Sequence, residues 1–151
     1  MRSAYRNCLV DTNVLLYPDD PSEPERGARA LAVLRAISEA KVGCVSPQIL
    51  GELFVGLQRL RPPLPHPEIM QRMRYYVQFW KVCSVNSDTV MEAVRGVAEH
   101  QFHYYDALIW ATARENRLPL VLSEDCHDER TIEGVIFRNP LIDGFDLDTL
   151  L

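Results

Sequence analysis

Four acidic residues stand out because each lies beside an apolar segment: Asp11, Glu52, Asp106 and Asp125. Asp11 and Asp125 follow short apolar runs that are typical of buried strands, whereas Glu52 and Asp106 fall in early turns of predicted helices. Each acid alone has an ordinary structural explanation, since Asp is common in turns and helix caps and Glu on helix surfaces. The case for chemistry therefore depends on the four residues as a set.

Four carboxylates in one pocket repel one another, and some must take up protons unless a cation joins them. Oxygen ligands suit the hard cations Mg²⁺ and Mn²⁺ better than zinc. A magnesium ion bound by a few carboxylates commonly also contacts the phosphate of a substrate. The set therefore predicts a divalent metal site that serves phosphoryl chemistry.

Short polar side chains accompany these acids at Thr12, Asn13 and Ser123. They are candidates for orienting metal ligands or water, although all three types are equally common in turns and caps. A zinc site is not predicted, because neither Cys-x-x-Cys nor His-Glu-x-x-His spacing occurs. The residues that would have suggested one are His66, His100, His103, Cys126 and His127.

The elements that must position the acids follow from hydrophobic periodicity. Strands are predicted at residues 7–10, 43–45, 82–85, 120–122 and 135–137. Helices are predicted over 25–41, 47–59, 67–80, from a cap at 86–88 to about 100, and over 106–116, with loops at 19–25 and 61–67. This alternation predicts an α/β fold, a three-layer α/β/α sandwich with a mostly parallel sheet of about five strands. Ligands of such sheets bind at the carboxyl ends of the strands, where Asp11 and Asp125 are expected.

The length of 151 residues indicates a single domain spanning 1–151. A net charge of −5 argues against a simple phosphate-clamping protein but is compatible with a carboxylate metal site. The basic residues around the proline-rich link are candidate phosphate contacts, although such arginines more often solvate helix faces or meet a partner protein. These candidates are Arg59, Arg61, Arg72 and Arg74.

The cysteines indicate a reducing compartment, because Cys8, Cys44 and Cys83 lie in apolar runs where a free thiol behaves as a small core residue. The first residues lack a secretory pattern, and no apolar run approaches the ~20 residues of a membrane span. We therefore expect a soluble, cytoplasmic protein with no membrane partner.

The four acidic segments together resemble the motifs of a known family. LVDTNVL at 9–15, SPQILGEL at 46–53, YDALIWATA at 105–113 and LVLSED at 120–125 are similar, in order, to the four motifs of the PIN-domain family. The chain length and the motif wording resemble VapC-type toxins within that family. The fourth motif is crowded, so its acid is Asp125, Glu124 or Asp128, with Asp125 the best match.

The resemblance implies a metal-dependent ribonuclease that uses Mg²⁺ or Mn²⁺ and serves as the toxin of a type II toxin–antitoxin pair. It also implies an RNA substrate, a cognate antitoxin and a homodimer, and the preference for RNA over DNA rests on it alone. The aromatic residues Tyr76, Phe79 and Trp80 are candidates for a dimer face, although at helical spacing such residues are more often core.

Three alternatives remain open at this stage. A housekeeping PIN-type RNA-processing nuclease would carry the same motifs. A PIN-like scaffold that binds RNA or protein without cleavage would be favoured by a missing acid, and all four are present. A phosphotransferase of the haloacid dehalogenase class expects a second Asp two residues after Asp11, where this chain has Asn13.

Overall fold

The structure is a computed structural model that describes residues 7–125 and 129–149. The alternative acid Asp128, together with Cys126 and His127, lies outside the described residues.

The described residues form one six-stranded sheet of order β3-β2-β1-β4-β6-β5. The strands are β1 Cys8–Val10, β2 Gly43–Val45, β3 Lys81–Val82, β4 Leu120–Leu122, β5 Thr131–Ile132 and β6 Val135–Arg138. All pairings are parallel except that of β5 with β6. The prediction of a mostly parallel α/β sheet is therefore confirmed, with one strand more than expected.

Helices connect the parallel strands, as the alternating pattern predicts. They are α1 Thr12–Leu16, α2 Pro24–Ala40, α3 Pro47–Arg59, α4 His66–Phe79, α5 Ser87–His100 and α6 Tyr104–Glu115. Every residue of the central strands β1 and β4 is buried. Because successive strand residues point to opposite faces, both faces of the sheet centre are covered. None of the helices in the described ranges has the length and apolarity that a membrane crossing requires.

Two short elements were missed and one strand was misplaced. The helix α1 begins directly after Asp11, and β5 has only two residues, so neither is long enough to show a periodic pattern. The strand predicted at 82–85 is instead Lys81–Val82, with both residues exposed at the sheet edge. Cys83 lies just beyond it and is buried, as are Cys8 and Cys44.

The helix α6 is fixed by Trp110, the largest fully buried side chain. Its indole Nε1 donates a hydrogen bond to the Ile132 carbonyl at 3.1 Å. On α5, a Cβ at Gly96 would lie 2.8 Å from the Trp110 ring, so only glycine allows this approach of the two helices. This packing sets the position of the first turn of α6.

The aromatic residues suggested for a dimer face divide between core and surface. Tyr76 and Trp80 are buried and pack edge to face, with ring centroids 4.9 Å apart. Phe79 is 65% exposed. Core packing therefore accounts for Tyr76 and Trp80, and Phe79 alone keeps a free aromatic face.

Candidate metal centre

Asp11 stands at the carboxyl end of β1 and is 5% exposed. Its backbone N–H donates to the Leu122 carbonyl at 2.9 Å, which continues the pairing of β1 with β4. Its Oδ1 accepts a hydrogen bond from the Thr12 backbone N–H at 2.7 Å, so Asp11 also caps α1. Its Oδ2 accepts one from the Ser123 hydroxyl, also at 2.7 Å. The side chain is thus fixed from two strand ends.

Asp125 belongs to the turn that follows β4. The Asn13 amide Nδ2 donates to Asp125 Oδ2 at 3.1 Å, and Asn13 Oδ1 accepts the Glu124 backbone N–H at 3.3 Å. The Asp125 backbone N–H donates to Ser123 Oγ at 3.2 Å. Asn13 and Ser123 therefore join the loops after β1 and β4 and hold Asp125 beside Asp11.

Glu124 has different partners from those of its neighbour Asp125. The Tyr17 hydroxyl donates to Glu124 Oε1 at 2.5 Å, and Arg26 Nε lies 3.5 Å from Glu124 Oε2. Contact with Glu124 and burial of the phenol raise the pKa of Tyr17 to about 12, burial being the larger cause. These contacts occupy the Glu124 carboxylate and favour Asp125 as the fourth acid.

Glu52 lies in the second turn of α3, a helix that begins where Ser46 Oγ accepts the Ile49 backbone N–H. The single proton of the Thr12 hydroxyl is shared between the Ile49 carbonyl at 3.2 Å and Glu52 Oε2 at 3.4 Å, and Glu52 Oε1 accepts a hydrogen bond from Gln48 Nε2 at 3.0 Å. The half-buried Glu52 is therefore tied to the residue that follows Asp11.

Gln48 is a site residue that sequence reasoning missed. Its Nε2 donates both to Glu52 and, at 3.4 Å, to the backbone carbonyl of Tyr105 in the first turn of α6. Its Oε1 is buried and has no hydrogen-bond partner in the described part of the chain. The available signal was its spacing, four residues before Glu52 on one helix face.

Asp106 is the third residue of α6 rather than its N-cap, because the helix begins at Tyr104 and His103 occupies the cap position. Its pKa is raised, first by burial and then by the negative charge of Asp125, with Glu52 adding a smaller repulsion that His103 opposes. The first turn of α6 therefore brings Asp106 to the same electrostatic neighbourhood as the other acids.

Burial raises the pKa of Asp11 to about 6, from an ordinary value of 3.8. The hydrogen bonds from Ser123 and Thr12 act in the opposite direction, while Asp125 and Glu52 repel the charged form. The structure thus brings together all four predicted acids, which we call the edge acids: Asp11, Glu52, Asp106 and Asp125. Within residues 7–125 and 129–149, no lysine or arginine forms an ion pair with any of them.

Of the edge acids Asp11 is buried, Glu52 and Asp106 are half-buried, and Asp125 is exposed. Carboxylate oxygens without a paired basic side chain fit a hard divalent ion such as Mg²⁺ or Mn²⁺. Three ligand atoms of the edge acids do not come within 4.8 Å of one another, a spacing that among the described residues belongs to a different group. The edge acids therefore do not form a closed ligand set in this structure, and an ion held by them would be bound partly through water, as Mg²⁺ commonly is.

That different group combines Glu99, His100 and Glu133, and no spacing pattern in the sequence predicted it. Arg95 Nη1 lies 2.6 Å from Glu99, Arg95 Nη2 lies 3.1 Å from Glu133, and His100 Nε2 lies 2.7 Å from Glu133. Its carboxylates are already neutralised by arginine, so it is a surface ion-pair cluster. We call it the arginine network: Arg95 and Arg114 with Glu92, Glu99, His100 and Glu133.

The four arginines predicted as phosphate contacts have different surroundings. Arg72 is engaged by Asp19, with Nε and Nη2 at 3.0 and 2.8 Å from the two carboxylate oxygens. Arg59, Arg61 and Arg74 are exposed. Arg72 thus stabilises the contact of α4 with the turn after α1, and the other three keep free surface.

Comparison with known proteins identifies the family and supports the fold. The PIN domain profile matches residues 8–130, whereas no curated protein sequence matches the chain. A toxin–antitoxin complex from Klebsiella pneumoniae superposes with a TM-score of 0.65 at 23% identity, covering 89% of this chain and 98% of that one.

Two further solved structures share the fold. VapC20 of Mycobacterium tuberculosis, described as a sarcin–ricin loop cleaving toxin, has a TM-score of 0.62 at 19% identity, covering 79% of this chain and 92% of that one. VapBC2 of Rickettsia felis, bound to a promoter DNA fragment, has a TM-score of 0.63 at 13% identity, covering 87% and 97%. The profile match spans most of the chain and includes all four edge acids, and the chain therefore belongs to the PIN domain family.

Proposed function

We propose that this protein is a metal-dependent ribonuclease that hydrolyses RNA phosphodiester bonds and acts as the toxin of a toxin–antitoxin pair. The observation that carries the proposal is the meeting of four carboxylates from separate segments at the carboxyl edge of the sheet, with no basic residue of the described ranges paired to them. The family match and the toxin structures with the same fold support the same conclusion.

In this proposal Asp11, Asp106 and Asp125 hold Mg²⁺ or Mn²⁺, directly or through water, and Glu52 completes the site. When bound, the ion supplies a water of lowered pKa and neutralises charge on the attacked phosphodiester. Ser123 and the Thr12 backbone keep both oxygens of Asp11 fixed, and Asn13 orients Asp125. These contacts preorganise the carboxylates before metal and substrate arrive.

The partners follow from the same proposal. An antitoxin would cover the acidic edge, and the solved toxin–antitoxin complexes of this fold support such a partner. A homodimer, a cytoplasmic location and a single domain over 1–151 stay predictions from the sequence.

A housekeeping RNA-processing nuclease would use the same edge acids, and the neighbouring gene separates the two roles. A short adjacent reading frame that encodes a DNA-binding antitoxin supports the toxin. A non-catalytic scaffold is disfavoured because all four acids occupy the site.

The test is incubation of the purified protein with total RNA in Mg²⁺, Mn²⁺ or EDTA, followed by mapping of the cut ends. We expect cleavage with metal and none with EDTA. Asp11→Asn and Asp106→Asn should remain folded and lose activity on the order of a thousand-fold, since several kcal/mol of charge stabilisation disappear. Glu133→Gln, in the arginine network, is the matched control and should cleave normally. Full metal-dependent activity in both Asn variants would refute the proposal.

A further inference from the structure

A cavity of about 320 Å³ opens along the outer face of α3, directly beside the edge acids. Its lining consists of Gly51, Glu52, Val55, Gly56 and Arg59. One end is an edge acid and the other is an arginine, so the groove joins the candidate metal centre to a cation.

The lining residues share one face because of helical spacing. Residues three, four and seven positions apart lie above one another on an α-helix, which places Glu52, Val55 and Arg59 in one row. At a rise of about 1.5 Å per residue, Arg59 lies on the order of 10 Å along the axis from Glu52. A long side chain at that distance can reach a phosphate adjacent to one held at the edge acids.

The floor of the groove is open at Gly51 and closed by Leu16 at Gly56. A Cβ at Gly51 would meet no atom within 4 Å, whereas one at Gly56 would touch the Leu16 side chain at 3.1 Å. Gly51 therefore leaves empty surface next to Glu52, and a chain can lie against the helix backbone there.

Arg59 is available for an external anion. It is exposed, and no hydrogen bond or ion pair engages it anywhere in the described ranges, in contrast to Arg72 with its partner Asp19. An unpaired guanidinium beside an acidic centre favours a ligand that carries several negative charges, because the centre binds one phosphate through metal and arginine binds another.

We propose that this α3 groove is a subsite for single-stranded RNA, in which Arg59 binds a backbone phosphate neighbouring the scissile one. The proposal rests on the ribonuclease function proposed above and adds the direction in which the strand leaves the metal centre. The contact is to backbone, so it positions the substrate and does not read its sequence.

The experiment compares wild type with Arg59→Ala and with the control Arg117→Ala. Arg117 is also an exposed arginine, but it precedes β4 and therefore lies at the amino ends of the strands, opposite the edge acids. The substrate is a labelled single-stranded RNA oligonucleotide containing a mapped cleavage site, and kcat and KM are measured in Mg²⁺ between low and moderate salt.

For Arg59→Ala we expect KM to rise about ten-fold with little change in kcat. This is the effect of losing one charged contact that is made equally in the ground state and in the transition state. The slope of log(kcat/KM) against log[salt] is negative and should become less steep by about 0.7, the value for one phosphate contact on a single strand. Arg117→Ala should change neither quantity. Equal KM and equal salt slope in Arg59→Ala and wild type would overturn the subsite while leaving the ribonuclease function intact.

A second variant blocks the groove without weakening the fold. Gly51→Leu fills the open floor, and leucine favours helix over glycine, so the melting temperature should rise while KM also rises. Unchanged KM in this more stable variant would contradict the proposal. If Arg59→Ala and Gly51→Leu cleave normally but change the oligomeric state in light scattering, the groove is a contact between copies and the RNA subsite is wrong.

The two proposals fail separately. If wild type cuts no RNA with either metal, the ribonuclease function is wrong, and fluorescence anisotropy of a labelled single-stranded RNA oligonucleotide of mixed sequence decides whether the groove binds RNA. Weaker binding by Arg59→Ala than by Arg117→Ala then supports an RNA-binding groove. Equal binding by both variants overturns it.

Discussion

The edge acids and the arginine network are both clusters of carboxylates, but their negative charge is balanced in different ways. In the network, Arg95 contacts Glu92, Glu99 and Glu133, and Arg114 contacts Glu92 and Glu133. At the carboxyl ends of the central strands, hydroxyl, amide and backbone donors hold the edge acids, and no basic side chain of the described ranges is paired with them. The arginine network contains its own cations, whereas the edge acids have no paired cation among the described residues and would take one from solution.

The pKa values move in opposite directions for this reason. Arg95 and His100 lower the pKa of Glu133 to about 2, whereas burial raises the pKa of Asp11 to about 6. A paired carboxylate stabilises the folded state, and a buried unpaired one destabilises it until a ligand supplies the missing charge. By this criterion the arginine network is a structural cluster, and the edge acids are the candidate binding site.

The largest expected effect on this comparison comes from metal. A ligand that binds only the folded state stabilises it by about 2.7 kcal/mol at a concentration 100 times its Kd, which corresponds to several degrees in melting temperature. Saturating Mn²⁺ should therefore raise the melting temperature of wild type and of Glu133→Gln, and leave that of Asp11→Asn nearly unchanged. Differential scanning fluorimetry with Mn²⁺ and with EDTA measures this. An equal shift in all three proteins would place the ion outside the edge acids.

Neutralising one carboxylate in each cluster should change stability with opposite sign. In EDTA at neutral pH, Asp11→Asn should raise the free energy of unfolding by about 1–3 kcal/mol, because removing the buried charge outweighs the loss of one of the two hydrogen bonds that the carboxylate accepts. Glu133→Gln should lower it, because Arg95 and His100 lose their charged partner. Urea unfolding of the three proteins decides the signs, and destabilisation by Asp11→Asn would contradict the unpaired buried charge.

The contributions of Asp11 and Glu133 to the free energy of unfolding should also depend on pH in opposite ways, and this effect is expected to be smaller. The folded state holds the Asp11 proton more tightly than the unfolded state, so its contribution to stability grows as pH falls through about 6 toward 3.8. Glu133 contributes stability above its ordinary value of 4.5 and loses it as pH falls from 4.5 toward about 2.

Urea unfolding in EDTA between pH 7 and pH 4 therefore has a clear expected outcome. The stability advantage of Asp11→Asn over wild type should shrink as the pH is lowered through 6. The deficit of Glu133→Gln should persist to pH 5 and shrink only below 4.5. An advantage of Asp11→Asn that stays constant from pH 7 to pH 4 would mean that Asp11 is not protonated in this range.

Local patterns were sufficient to predict the strands that carry Asp11 and Asp125, because three buried apolar residues precede each acidic turn. They favoured Asp125 but left Glu124 and Asp128 as alternatives, since the partners that engage Glu124, Tyr17 and Arg26, lie more than 95 positions away in the chain. The arginine network was invisible for the same reason, because Arg95 meets Glu133 only after folding. The spacing of residues along the sequence does not identify their tertiary partners.

Gln48 is another tertiary partner of this kind, and its replacement is expected to have the smallest effect on metal binding. Its Nε2 ties Glu52 to the first turn of α6, whereas its buried Oε1 has no partner among the described residues. Gln48→Met keeps the shape, removes the unpartnered oxygen and releases Glu52. We expect Mn²⁺ affinity to fall about ten-fold, as for other groups that orient metal ligands, while the free energy of unfolding in EDTA stays equal or rises.

The matched control is Gln58→Met on the exposed side of the same helix, which should change neither quantity. Isothermal titration calorimetry with Mn²⁺ gives the affinities, and urea unfolding gives the stabilities. A fall in both quantities for Gln48→Met would make Gln48 a structural brace of α3 and α6. Reduced affinity with retained stability identifies it as a positioning residue for Glu52, because loss of packing cannot weaken metal binding while leaving the fold as stable as before.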